Sequence, residues 1–179
     1  MEIRLPELND KNEIISYIEE HYAHHENNLS ASTGLTSLAF EDWVKKVHNN
    51  VTIPDKVWGK SCTYLVFDDN KKLIGMLSIR HDLSDELVQK YGHIGYGVRP
   101  SERRKGYANK ILAYALKECK KLGLNTVILG CYKHNIGSAR TILKNGGKLI
   151  REVDDIKQIN NYYTINLVNQ FYKIDILKN

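Results

Sequence analysis

The chain has 179 residues, 42% of them hydrophobic and 26% charged, a length at which one domain buries roughly 70% of its unfolded surface without a disulfide or metal staple. Three prolines and twelve glycines exclude a collagenous or linker-type chain, no apolar run approaches the ~20 residues of a membrane span, and Met1 to Leu8 has neither the basic stretch nor the apolar core of a signal peptide. The expectation is a single cytoplasmic domain over residues 1–179 with no membrane partner. Its net charge of +5, from 26 Lys and Arg against 21 Asp and Glu, suits a small anionic ligand, nucleic acid or neither, so the position of the charges has to decide.

Cys62, Cys119 and Cys131 are an odd number with no C-x-x-C pair, which argues against a disulfide framework or a zinc ribbon. His21, His24 and His25 stand at i, i+3, i+4 and would share a helical face. Beside Glu20 and Glu26, and without a complete ligand motif, they read as a solvated polar face, and no metal is expected.

In chain order, residues 1–5 alternate enough for a short strand. Asp10 is a candidate N-cap with Glu13 three residues on, opening a helix to about His25 on Ile14, Ile15 and Ile18. After the polar stretch Glu26 to Thr33, the spacing of Phe40, Trp43, Val44 and Val47 predicts a second helix around Leu38–Asn49, and Asn50–Ser61, with Pro54, reads as a loop. Cys62–Phe67 and Leu73–Ile79 flank the turn residues Asp68 to Lys71 and predict a hairpin. A short helical or irregular piece, Leu83–Tyr91, precedes a strand over His93–Arg99, closed by Pro100.

Residues 102–122 carry Ala108, Ile111, Leu112, Ala115, Leu116 and Cys119 on one stripe and end at Gly123, the pattern of a long helix. Thr126–Cys131 reads as a strand, 137–145 as a short helix and Lys148–Val153 as a strand. Tyr162–Leu167 and Phe171–Leu177 read as two further strands parted by a turn at Val168-Asn169. The predicted fold class is α+β: a central mixed, mostly antiparallel twisted sheet of about six to seven strands flanked by about four helices.

The informative stretch runs from His93 to Ala108, where a strand enters a basic turn and the turn opens a helix at a glycine. Backbone N–H groups at a helix start lack intrahelical acceptors and sit at the positive end of the dipole, a natural seat for a phosphate. Gly106 lets the backbone approach such a group, Ala108 leaves room, and Arg103, Arg104 and Lys105 add charge that would destabilise the helix start without an anion. The pattern G-x-x-x-x-G-K-[ST] is absent, and Gly95-Tyr96-Gly97 lacks the third glycine of a dinucleotide fingerprint.

Arg103-Arg-Lys-Gly106-Tyr-Ala108 resembles the R/Q-x-x-G-x-G/A signature of the GNAT acyltransferases, and Asn135-Ile-Gly-Ser138 followed by Gly146 resembles a second segment of that family. The order of elements agrees over nearly the whole chain. The run His93-Ile-Gly-Tyr through Lys105-Gly-Tyr-Ala108 is similar to a bacterial subgroup of GNAT acetyltransferases of about this length. The resemblance implies acetyl-CoA as co-substrate and direct acetyl transfer to an amine of a small molecule or a protein. It implies that the backbone of Tyr96, Gly97 and Val98 pairs with the pantetheine arm, and that the amides of Arg104, Lys105, Gly106, Tyr107, Ala108 and Asn109 hold the pyrophosphate. Asn135 and Ser138 would contact pantetheine or phosphates, or else serve as helix caps; Arg140 and Lys144 would reach the adenosine end, or else be solvated surface.

Such chemistry needs a group to take the amine's proton and a donor, such as the Val98 N–H, for the developing oxyanion. His93, with an ordinary pKa near ~6.5, is the candidate base, against a purely structural role at the strand start. Many family members place a tyrosine acid seven residues after the asparagine, but that position here is Ile142. Ser138 is then the candidate acid, with Cys131, Tyr132 and water as alternatives; Cys131 is otherwise a small buried hydrophobe. Arg80 and His81 would line the acceptor cleft or form a solvated strand end, and residues 20–60 and the tail after Val153 would shape that cleft. A CoA-binding sensor without catalysis is the alternative, which the missing tyrosine favours. No nucleic-acid partner is expected, because the basic residues are not interleaved with aromatics along one element. A homodimer is left open.

Overall fold

The computed structural model describes residues 1–160 and 163–178. Four strands, β1 (Glu2–Arg4), β2 (Ser61–Phe67), β3 (Leu73–Arg80) and β4 (Ile94–Val98), form one sheet in the order β1-β2-β3-β4. Three more, β5 (Thr126–Tyr132), β6 (Lys148–Asn160) and β7 (Tyr163–Asp175), form a second in the order β5-β7-β6. Every ladder among the described residues is antiparallel. The helices are α1 (Lys11–Ala23), α2 (Phe40–Asn50), α3 (Asp85–Tyr91), α4 (Tyr107–Lys121) and α5 (Ile136–Lys144). None of the described helices is long and apolar enough to cross a membrane.

The first sheet is buried on both faces, because alternate residues serve two cores. Leu65, Phe67 and Met76 pack under α1 and α2 with Ile14, Tyr17, Trp43 and Val47. Val66, Leu77, Ile79, Ile94 and Val98 pack against Ile111, Leu112 and Ala115 of α4, a core that continues through Val127, Leu129 and Ile174 of the second sheet. The two β4 glycines have the same parity and lie on the α1 side: a Cβ added at Gly97 would stand 3.3 Å from Tyr17 Oη and 3.4 Å from Ser30 Cβ. Tyr96 lies on the opposite face, packed against the α4 core.

Three expectations change. The turn expected at Val168-Asn169 is absent, since β7 runs unbroken from Tyr163 to Asp175 and pairs with a β6 that extends seven residues beyond Val153. Val168 and Asn169 continue the strand because they are paired on both sides, with β6 at Asp154 and Val153 and with the end of β5, where the Lys133 N–H donates to Val168 O at 2.8 Å and Tyr132 faces Asn169; Tyr162 lies outside the described residues. The long helix begins at Tyr107 rather than 102, because Pro100–Glu102 forms a 3-10 turn and positive φ at Arg104 and Gly106 breaks the chain before the helix starts. Asp10 sits at the α1 N-cap, but its carboxylate takes Arg4 at 2.6 and 2.7 Å and the Glu7 N–H at 2.7 Å. Glu13 instead accepts the Leu73 N–H of β3 at 3.0 Å, and Ile15 faces solvent.

The sheets meet at one point. The His93 N–H donates to Ile128 O at 2.7 Å, and the Ile128 N–H donates to His93 Nδ1 at 3.0 Å. Gly92 precedes this joint at φ +71, and a Cβ there would come within 2.6 Å of Ile128 O. Gly92→Ala combines a left-handed backbone with that clash, so it should destabilise the fold by about 2 kcal/mol or more. A lower urea midpoint with unchanged slope would register it, and an unshifted midpoint would mean the joint yields freely.

Candidate active site

The register of β4 determines which backbone groups the site can use. Arg80 N–H to His93 O at 2.8 Å and Arg99 N–H to Ile74 O at 2.8 Å bracket the β3–β4 ladder. Between them, hydrogen-bonded pairs alternate, so Gly95 and Gly97 turn their polar groups to β3 while Ile94, Tyr96 and Val98 turn theirs to the far edge. On β5 the same parity argument turns Ile128, Gly130 and Tyr132 toward β4. Past the His93–Ile128 joint no backbone bond crosses between these edges among the described residues, and the strands enclose a cleft of about 720 Å³. The Val98 carbonyl is already taken by Arg103 Nε at 3.1 Å; the Tyr96 polar groups and the Val98 N–H stay open.

At the end of this open edge stands the α4 start. Arg103 is extended, Arg104 has φ +61 and Gly106 φ +84. The first α4 bond is Lys110 N–H to Gly106 O, and none of the N–H groups from Arg104 to Asn109 meets an acceptor among the described residues. The space over Gly106 is empty to 4 Å, and Tyr107, Ala108 and Asn109 form the first turn. This concave run of amides fits a pyrophosphate: it offers unsatisfied donors at the positive end of a helix with no side chain in the way.

The neighbouring cations are arranged otherwise than the sequence suggested. Arg103 turns away and grips Glu26 through both terminal nitrogens at 2.6 Å, and His21 Nδ1–H donates to the same carboxylate at 2.8 Å. Hydrogen bonding from Arg103 holds the Glu26 carboxyl down to about 2, while burial pushes the His21 imidazole below its ordinary value. Lys105 bonds Glu102 at 2.9 Å, which also takes Lys72 at 2.8 Å. Arg104 alone of the three is exposed without a partner among the described residues. Arg103 therefore ties the turn to the segment after α1, and the amides and Arg104 remain as the groups free to meet an anion. Glu26 was not identifiable from sequence: its partner is 77 positions away and no local pattern marks it.

Inside the cleft, the Tyr96 hydroxyl reaches across to Ser138 Oγ at 3.2 Å. Asn135 takes the expected capping role on α5, accepting the Ser138 N–H at 3.1 Å, and also lines the cleft. Cys131 Sγ interacts with Ser138, and Thr141 with the Tyr96 hydroxyl. Burial raises the Tyr96 phenol and the Cys131 thiol above their ordinary values, so both are protonated near neutrality. Ile142, at the position where a tyrosine was sought, is fully buried in the core. The Tyr96 side chain was missed because its sequence signal concerned the strand's backbone.

His93 is engaged differently from the base expected of it. Its Nδ1 accepts the Ile128 N–H, so the neutral ring carries its proton on Nε2 and has no free lone pair. Burial, then the Arg80 charge, lower its pKa. Arg140 and Lys144 are exposed on α5, whose C-terminal end is tied to the α4 start by Asn145 Nδ2 to Asn109 Oδ1 at 3.3 Å. The outer cleft is lined by Ser30, by Glu86 and Tyr91 of α3, and by Arg151 and Asp154 of β6. The α3 contribution had no sequence signal.

The Glu26 grip has a pH consequence. A carboxyl with a depressed folded pKa stabilises the fold above its unfolded value near 4.5 and loses that contribution as pH falls toward about 2. Arg103→Gln should return Glu26 toward the ordinary range and flatten that acid limb. Urea midpoints between pH 5 and pH 2 measure it, and parallel limbs in the two proteins would show that Arg103 does not hold Glu26 down.

The chain matches the acetyltransferase (GNAT) family over residues 32–146. A search of curated proteins gave no significant match. Among solved structures, yncA from Salmonella typhimurium, determined with its cofactor acetyl-CoA, is similar over 98% of this chain and 93% of its own at 15% identity and TM-score 0.65. A GNAT-family acetyltransferase from Streptococcus pneumoniae is similar over 97% and 99% at 18% identity and TM-score 0.69. RimL, a ribosomal alpha-N-protein acetyltransferase in complex with coenzyme A, is similar over 97% and 94% at 19% identity and TM-score 0.68. With the signature turn at the start of α4 and the family match spanning most of the chain, this protein belongs to the acetyltransferase (GNAT) family.

Proposed function

We propose that this acetyltransferase binds acetyl-CoA along the open edge of β4 and transfers the acetyl group directly to a primary amine. The observation that carries the reading is the unpartnered run of N–H groups from Arg104 to Asn109, contiguous with the open Tyr96 groups and Val98 N–H of the β4 edge. A ligand with a pyrophosphate at one end and an amide-bearing arm completes both at once. Support also comes from yncA and RimL, structural neighbours solved with acetyl-CoA and coenzyme A. RimL, by its name, acetylates an alpha-amine.

When bound, acetyl-CoA supplies an activated acetyl thioester. Around it, the Tyr96 backbone pairs with the arm, Arg104 adds charge at the phosphate end, and Asn135 and Ser138 line the far wall. Arg140 and Lys144 extend the positive surface from α5. The Val98 N–H is an oxyanion donor fixed in the strand before reaction, at no reorganisation cost. The Tyr96 hydroxyl, kept protonated by burial and bonded to Ser138, donates to the departing sulfur. His93 is a positioning residue that holds the mouth of the cleft, and water takes the acceptor's proton.

Calorimetry with acetyl-CoA tests the binding, and no heat at millimolar cofactor would remove the reading. Gly106→Val faces open space but fills the cradle at positive φ, so it should weaken CoA affinity by about tenfold or more while the protein stays folded. Unchanged affinity would move the phosphates elsewhere. Tyr96→Phe should lower kcat by roughly tenfold to a hundredfold and leave CoA affinity unchanged. An undiminished kcat would assign the proton to Ser138 or water.

A further inference from the structure

Two polar side-chain atoms on the α1 side of β4 are buried with nothing to bond. Tyr17 is fully buried and His21 is 4% exposed, yet neither Tyr17 Oη nor His21 Nε2 has a hydrogen-bond partner among the described residues. The residues stand one turn apart on α1, with ring centroids 4.5 Å from each other. The Tyr17 ring packs with Ile14, Trp43 and Met76, a task phenylalanine would perform without burying an unpaired hydroxyl. Neither group takes part in holding the cofactor or in protonating the departing sulfur.

The hydroxyl is aimed at the strand that forms the site. A Cβ at Gly97 would stand 3.3 Å from Tyr17 Oη and 3.4 Å from Ser30 Cβ, and Ser30 lines the cleft. The buried hydroxyl and the cleft wall therefore meet over one glycine, between Tyr96 and Val98 of the open edge. His21 is oriented at the inner end. An ionised Glu26 can only accept, so His21 Nδ1–H donates to it at 2.8 Å and the neutral ring keeps its lone pair on Nε2. That is how a carboxylate prepares an imidazole as a base. Burial pushes the Tyr17 phenol up and the His21 imidazole down, so near neutrality one is an uncharged hydroxyl and the other an unprotonated base. The charged groups facing the pair are Glu20 of α1, Glu26 after it, Arg99 at the end of β4 and Arg103 of the turn.

We infer that Tyr17 and His21 form a relay that carries the acceptor's proton out of the cleft. The water that takes this proton from the attacking amine hands one to Tyr17 Oη, and Tyr17 gives its own hydroxyl proton to His21 Nε2. The amine N–H bond breaks, water and tyrosine are regenerated, and the proton ends on an imidazolium paired with the Glu26 carboxylate. It returns to water along the same path once the product has left. A histidine kept only to tie down Glu26 needs one nitrogen. Proton transfer accounts for the second, buried beside a hydroxyl that also lacks a partner. The relay rests on the acetyl-transfer reading above and adds to it the group on which the proton ends.

Thiol release from acetyl-CoA, with glycinamide, spermidine and a peptide with a free N-terminus as acceptors, tests the relay. Tyr17→Phe should lower kcat by roughly tenfold or more with CoA affinity unchanged. Its urea midpoint should stay level or rise, because the lost hydroxyl had no partner. His21→Gln keeps a donor for Glu26 and should lower kcat equally, and the double variant should be no slower than either single one. In the wild type, kcat at saturating amine should rise with pH through the lowered His21 pKa and level off above it, since a protonated ring cannot accept. Both variants should lose that limb. An undiminished kcat in Tyr17→Phe, losses that multiply in the double variant, or a limb that survives either substitution overturns the relay. Should His21→Gln fail to fold, Tyr17→Phe and its pH profile decide alone. If the wild type releases thiol with none of the amines, the acetyl-transfer reading falls and the relay with it; an active wild type with unaffected variants removes the relay only.

Discussion

A strand edge inside a protein must find partners for its N–H and C=O groups, and β4 finds them on one side only. The ladder to β3 is complete, while the other edge meets β5 at the single His93–Ile128 joint and then stands open. The proposed cofactor site is arranged around that edge. The joint fixes where the opening starts, the unpaired Tyr96 groups and Val98 N–H form its wall, and the bare amides of Arg104 to Asn109 prolong it beyond the strand. The double use of His93, through its backbone N–H and its ring nitrogen, joins the two sheets at that point.

The charges follow from the same constraint. A turn that must present bare amides to an anion cannot be stabilised by its own backbone, so side chains hold it from outside. Arg103 bonds back to Val98 O and across to Glu26, Glu102 gathers Lys72 and Lys105, and Glu20 accepts the Ser101 N–H at 2.7 Å. Three acidic side chains thus neutralise or cap the turn's flanks and leave its donors forward. The cationic cluster visible in the sequence is largely a scaffold, with Arg104 as the charge that faces outward.

The two faces of β4 divide the labour. On the α4 side, Tyr96 carries its hydroxyl to Ser138, next to Cys131 and Thr141. On the α1 side, Gly95 and Gly97 leave room beside Ser30. Alternation along a single strand therefore sets the Tyr96 hydroxyl on one face and open space on the other, with the backbone edge between them.

The sequence by itself determined the α+β class, nearly every element, and the strand–turn–helix in which Gly106 opens the cradle. These signals are local: periodicity, turn residues and a glycine whose positive φ other side chains resist. Only the tertiary structure decided what Arg103, His93 and Tyr96 do, because their partners Glu26, Ile128 and Ser138 lie 77, 35 and 42 positions away. It likewise made one strand of 163–175, since the backbone at 168–169 finds partners in both β6 and the end of β5.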